Sequence, residues 1–177
     1  METNLCVAGF GGQGVMTLGK FLASATCDAT DKNVTFFPSY GAEQRGGTAN
    51  CFVVISDGMI GAPLGDVMDD LIVMNGPSLA KFLPTLKQGG TLCGLGVLKS
   101  GDTLLDASRL QNNTRLHMLN FPYGEYDILP ETVEMIEQGR VHPRDFYSHV
   151  VPFTEIDRAM HLLETREAFK VVLDFDA

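Results

Sequence analysis

Asn4-Leu5-Cys6-Val7-Ala8-Gly9-Phe10-Gly11-Gly12-Gln13-Gly14-Val15 opens the chain and decides its fold. An apolar run of strand length ends at Gly9, spaced glycines follow, and a helix-compatible pattern begins at once. Gly9, Gly11 and Gly14 satisfy G-x-G-x-x-G, with Gly12 as a fourth glycine. A tight strand-to-helix turn needs glycine dihedrals, and a backbone free of Cβ atoms admits an anion close to a helix N-terminus. Gly9, Gly11, Gly12, Gln13 and Gly14 are therefore the candidate phosphate- or ligand-binding residues. The same glycines would also suit a turn that only packs the first helix on the first strand. Taken alone, the fingerprint points to a nucleotide-binding α/β fold more firmly than to NAD.

Outward from the turn, Val15, Leu18, Leu22 and Ala25 recur near a 3.6-residue period over 14–29. That spacing predicts a helix buried along one side, the first helix of a βαβ unit. Val34-Thr35-Phe36-Phe37 reads as a short strand stopped by Pro38. Pro38 to Ala49 mixes proline, serine, three glycines and charged residues, so it predicts a loop, placed where a parallel sheet presents ligand-binding loops. Arg45 offers a planar fork for phosphate or carboxylate, and Gly46-Gly47 could present amides beside it. The alternative is a solvated crossover loop in which Arg45 pairs with Glu43 or a neighbouring subunit.

Thr48 to Ser56 is a clear strand, Asp57-Gly58 a turn, and Met59 to Leu64 its short partner or a return loop. Leu71-Ile72-Val73-Met74 suits a strand covered on both faces. Pro77 starts a helix through Leu79, Phe82, Leu83 and Leu86, kinked or cut short by Pro84 and ended by Gly89-Gly90. Thr91 to Leu95 is the next strand, 97–115 a loop or short helix, and Leu116 to Phe121 a further strand. Pro130 starts a helix that Gly139 closes. Thr154 and Asp157 resemble a capping box, and Lys170 to Phe175 is the last strand. Strands alternating with helices predict a Rossmann-like α/β fold, with a mainly parallel sheet and helices on both faces, as one domain over 1–177.

Composition narrows the function classes. The chain has 177 residues, 45% hydrophobic and 20% charged, which is ordinary for a globular domain with a real core. A net charge of −9 argues against nucleic acid, which a basic stripe would serve. With no polybasic cluster, no apolar run near the ~18–20 residues of a membrane span and no basic leader, a cytoplasmic location without membrane partner is expected. Cys6, Cys27, Cys51 and Cys93 are scattered singly, without C-x-x-C, and the four histidines lack metal-ligand spacing. No metal site or cluster is therefore expected, and Cys6, Cys51 and Cys93 read as small buried hydrophobes.

Three stretches carry a resemblance. Gly9 to Gly14, Pro38 to Thr48 and Leu71 to Ser78 resemble the gamma subunit, or gamma domain, of the 2-oxoacid:ferredoxin oxidoreductases, including the pyruvate and 2-oxoglutarate enzymes. The resemblance covers about residues 4–90. It implies a non-catalytic, Rossmann-like subunit of an assembly that converts a 2-oxoacid and coenzyme A to acyl-CoA and CO2, with electrons passing to ferredoxin. Thiamine diphosphate and iron–sulfur clusters are then expected in alpha-, beta- and delta-type partner subunits, with a part in coenzyme A handling left open for this chain. On this reading Ser39, Tyr40, Gly41, Glu43, Gln44, Arg45, Gly46, Gly47 and Thr48 form the loop facing the partner subunits or active site, and no residue of this chain is catalytic.

From about Gly89 to Asp176 the texture departs. Gly89 to Gly96, Ile136 to Pro143, Ser148 to Phe153 and Lys170 to Leu173 resemble the end of a medium-chain, zinc-type alcohol or polyol dehydrogenase, without its zinc ligands. The chain then reads as two Rossmann halves joined near 89–96. The alternatives to the gamma-subunit reading are an NAD(P)-binding dehydrogenase remnant and an inactive chimeric scaffold. Against the remnant, strand 2 ends in Phe37-Pro38-Ser39, without the acidic residue that recognises the ribose of NAD. The last strand, deprived of a catalytic domain, is expected to pair with the edge of the Rossmann sheet or with a second copy in a homodimer.

Overall fold

The computed structural model of the chain describes residues 1–40, 48–95, 105–119 and 124–176. They form two compact units, Met1–Leu129 and Pro130–Ala177. The first is built on a six-stranded sheet comprising β1 (Glu2–Phe10), β2 (Asn33–Tyr40), β3 (Thr48–Ser56), β4 (Met68–Val73), β5 (Leu86–Leu95) and β6 (Arg115–Leu119). Their order is β2-β3-β1-β4-β5-β6. The pairs β1–β4, β4–β5 and β5–β6 are parallel, whereas β3 runs antiparallel to both β1 and β2.

Pleating sorts the core onto two faces, because successive side chains of a strand point opposite ways. Cys6 and Ala8 of β1 join Leu71 and Val73 of β4 on one face, under Leu79 and Phe82 of α2 (Gly76–Phe82). Val7, Cys51 and Ile72 face the other way, under Val15 and Leu18 of α1 (Val15–Ala29). Helices thus cover both faces, and the expected α/β architecture stands. Phe52 meets Phe82 edge-to-face with centroids 6.2 Å apart, tying β3 to α2.

Several local expectations need correction. The β1–α1–β2 segment is not a simple βαβ unit of neighbouring strands, because the β2–β3 hairpin inserts β3 between β1 and β2. Pro38 does not stop β2, which continues to Tyr40. As an edge strand that pairs, among the described residues, with β3 alone, β2 tolerates the missing N–H. Gly89-Gly90 does not end a helix: α2 passes into a short 3-10 turn at Leu83–Thr85, and both glycines lie within β5. There the β4–β5 register shifts between Met68 and Asp70, and Gly89 takes φ +72°. Pro130 does not start α3 (Glu125–Glu137) but lies inside it. Glu125 and Asp127 supply the acidic first turn that a helix N-terminus favours.

At the amino-terminal edge of the sheet, Asp69 holds β4 against β1. Its Oδ2 accepts from the Asn4 N–H at 2.7 Å, and its Oδ1 pairs with the Lys87 ammonium. Burial pushes the carboxyl up, but the Asn4 amide and Lys87 outweigh it and hold the group below its ordinary value. A carboxyl lowered in the folded state stabilises above its unfolded pKa of about 3.9 and loses that contribution as pH falls through the folded value. Asp69→Asn is therefore expected to flatten the acid limb of a Tm-against-pH profile below about pH 5. An unchanged acid limb would contradict this account of Asp69.

In the second unit, β7 (His149–Pro152) and β8 (Val171–Asp174) pair in parallel, and α4 (Ile156–Glu164) packs on both strands. Val151 and Ala159 are its most buried side chains. The expectation for the last strand is thus corrected: β8 pairs with β7 in a sheet of its own, not with the edge of the larger sheet. Thr154 does not cap α4, because a 3-10 turn at Phe153–Glu155 runs straight into the helix and leaves Glu155 at the cap position, its carboxylate paired with Arg158 rather than capping a backbone N–H.

Candidate functional site

The sheet places a crevice where β1 and β4 end side by side. The chain leaves β1 for α1 on one face and β4 for α2 on the other. Diverging connections of this kind define the switch point at which open α/β sheets take ligands. Because β2 and β1 both run antiparallel to β3, β2 also ends at this edge. Phe10 pairs with Thr48, Gly9 with Ala49, and Ala49 with Tyr40, so the roots of the β2–β3 loop flank the glycine turn.

The turn adopts the geometry its glycines allow. Gly12 (φ +92°) and Gly14 (φ +85°) are left-handed, and Gly14 stands at the N-cap of α1 without any side-chain cap. The first turn of α1 carries no acidic residue, so its amides present a partial positive charge that suits an anion. Gly9 is required for a different reason. A Cβ there would lie 2.8 Å from Gln13 Oε1, 2.8 Å from Val15 Cγ2 and 3.1 Å from Met74 Cβ.

Gln13 bridges the crevice. Its Oε1 accepts from Phe10 N at 2.6 Å and from Asn75 Nδ2 at 2.9 Å, while its Nε2 donates to the Met74 carbonyl at 3.2 Å. Asn75 caps α2 by accepting from Ser78 N at 2.8 Å, and the buried Ser78 hydroxyl donates to Gly9 O at 3.3 Å. Asn75 and Ser78 were not among the site residues expected from the sequence. The signal was there, however: Asn75-Gly76-Pro77-Ser78 is a polar cap followed by proline in the first helical turn.

Of the expected partner-facing residues, Ser39 and Tyr40 belong to β2 and Thr48 to β3. Gly41, Glu43, Gln44, Arg45, Gly46 and Gly47 lie outside the described residues. Behind the turn, Cys51 Sγ donates to Val15 O at 3.4 Å. Burial pushes the Cys51 thiol up to about 11, and burial with the adjacent Cys51 pushes Cys6 up to about 12 despite Lys81. Both thiols are protonated and poor nucleophiles near neutral pH. Among the described residues, no group of three or more His, Cys, Asp or Glu could hold a metal ion, and no helix is long and apolar enough to cross a membrane.

The strand order and the two faces of helices define a doubly wound α/β unit whose switch point lies between β1 and β4. The family of pyruvate ferredoxin/flavodoxin oxidoreductases matches residues 4–158, and the chain belongs to it. The matched segment runs across 89–96, where a junction between two families was expected, so family membership extends beyond the first half.

The chain is 45% identical over 89 residues to the ketoisovalerate oxidoreductase subunit VorA of Methanothermobacter marburgensis, covering 50% of this chain and 18% of VorA. It is 39% identical over 92 residues to the 2-oxoglutarate synthase subunit KorC of the same organism, covering 52% of this chain and 50% of KorC. The matches thus span half or less of these relatives. In fold it is similar to pyruvate oxidoreductase subunit PORC of Thermotoga maritima, with TM-score 0.51 and 20% identity over 80% of this chain and 79% of PORC. It is also similar to the 2-oxoglutarate:ferredoxin oxidoreductase of Magnetococcus marinus, solved with 2-oxoglutarate, coenzyme A and succinyl-CoA bound. That match has TM-score 0.58 and 23% identity over 74% of this chain and 21% of the other. Alcohol dehydrogenase TADH of Thermus sp. ATN1 shares the fold at TM-score 0.50 and 21% identity, over 62% of this chain and 32% of TADH.

Proposed function

We propose that the chain serves as the gamma-type, non-catalytic component of a 2-oxoacid:ferredoxin oxidoreductase. It would pack on the subunits that hold thiamine diphosphate and iron–sulfur clusters and convert a 2-oxoacid and coenzyme A to acyl-CoA and CO2. The observation that carries this reading is the family match over residues 4–158, with VorA and KorC as relatives in sequence. On this reading, electron transfer to ferredoxin falls to the partners that hold the clusters.

The partner-facing edge on this reading is the one that carries the glycine turn and the roots of the β2–β3 loop. Arg45 would supply the cation for a carboxylate or phosphate at that edge. The coenzyme A in the Magnetococcus marinus enzyme supports a place for that ligand in the assembly, and contact with this chain is part of the proposal.

Co-expression of the tagged chain with the thiamine-binding subunits of its own genome tests the assignment. Capture should bring those subunits down in a fixed stoichiometric ratio that survives size exclusion. Elution of the chain free of them would contradict it.

A further inference from the structure

Gln13 folds back beside Gly9, the first glycine of the G-x-G-x-x-G pattern and the one that serves the tight turn. The closest neighbours that a Cβ on Gly9 would meet include Gln13's own carbonyl oxygen, at 2.8 Å. The bareness of Gly9 therefore accommodates an internal side chain. That carboxamide takes the Phe10 N–H at 2.6 Å, so this amide is satisfied within the chain.

The orientation of both carboxamides is dictated by their partners. Gln13 needs an acceptor towards Phe10 N and Asn75 Nδ2, and a donor towards Met74 O. Asn75 needs an acceptor towards Ser78 N and a donor towards Gln13. Flipping either side chain sets donor against donor. With Ser78 Oγ on Gly9 O, the bonds close a ring from the end of β1 through α2 and back.

We infer that Gln13 is a positioning residue that locks the glycine turn to the Asn75-capped corner of α2, so that both present one fixed surface to the partner subunit. This rests on the proposed subunit role. The glycine turn is then a clamp filled by its own glutamine.

Three variants test the lock. Gln13→Ala removes it. Asn75→Asp keeps an acceptor for Ser78 N, and so keeps the α2 cap, but removes the donor to Gln13. Asp69→Asn, at the far edge of the sheet, is the control. Amide exchange is followed at Phe10, Ser78, Val7 and Leu71, and affinity for the co-expressed thiamine-binding subunit is measured in parallel. Loss of bonds of this kind amounts to roughly tenfold in an equilibrium constant.

Gln13→Ala should speed exchange about tenfold at Phe10 and also at Ser78, which Gln13 does not touch, while Val7 and Leu71 keep their protection. Both Gln13→Ala and Asn75→Asp should weaken the partner about tenfold, with Asp69→Asn unchanged. Unchanged exchange at Ser78, or variants that bind the partner as the wild type does, would overturn the inference. Failure of the wild-type chain to bind would instead overturn the subunit reading, while the exchange results would still decide the lock.

Discussion

Leu71→Ala lowers the melting temperature of the first unit by about 8–15 °C. Leu71 is fully buried in β4, between the β1 residues Cys6 and Ala8 and the α2 residues that cover that face. Truncation removes the transfer free energy of the lost methyl and methylene groups and leaves a cavity. Parallel strands covered by helices have little freedom to collapse into such a void. The cost is about 3–5 kcal/mol, and in chains of this size each kcal/mol moves the midpoint by about 2–4 °C. A scan with each variant at fixed pH reads the effect directly. A fall below about 3 °C would mean that the β1–β4–α2 layer is not the packed core described.

Gly19→Ala reverses the usual sign of a helix substitution. In an open helix, alanine is better than glycine by about 1 kcal/mol. Here a Cβ at Gly19 would run into Cys51 Sγ and lie 2.9 Å from Phe36 Cε2, so α1 would have to lift off β2 and β3. Overpacking of this kind costs about 1–3 kcal/mol, and bulkier side chains cost more. Gly19→Ala should lower Tm by about 3–8 °C, and Gly19→Leu should prevent α1 from docking. Trimming the obstacle tests the cause: Cys51→Ala, itself destabilising, should become less so in the Gly19→Ala background. Strict additivity would show that the two positions do not meet, because contacting residues couple.

These sites also show which parts of the fold were legible in the sequence. The opening turn was readable because its information is local: an apolar strand, spaced glycines and a 3.6-residue stripe lie within one stretch. Both faces of the sheet followed from apolar runs at Leu71 to Met74 and Thr91 to Leu95. Strand order was not readable in the same way. Nothing between Pro38 and Thr48 announces that β3 returns beside β1, because that pairing is fixed by packing across the sheet. Gly89-Gly90 misled for a related reason. A glycine pair ends helices and also permits bulges, and only the β4–β5 register decides between them.

The partner of β8 was equally non-local. Val171 to Leu173 read correctly as a strand, but its pairing with His149 to Pro152 depends on α4 bringing the two together. At the crevice, glycine spacing suggested room for a ligand. The side chain that fills the room, Gln13, was in plain view within the same motif. Its bonds to Met74 and Asn75 span more than sixty residues and could not be inferred from spacing.

The most direct measurement is reduction of a low-potential viologen dye by the purified thiamine-binding subunits, with and without this chain. It should be run with pyruvate, 2-oxoglutarate and a branched-chain 2-oxoacid, in the presence and absence of coenzyme A. The proposed subunit role predicts that turnover with one of these substrates requires coenzyme A, is lost without the chain and returns when it is added back at stoichiometric amounts. Full coenzyme A-dependent turnover without the chain would contradict it.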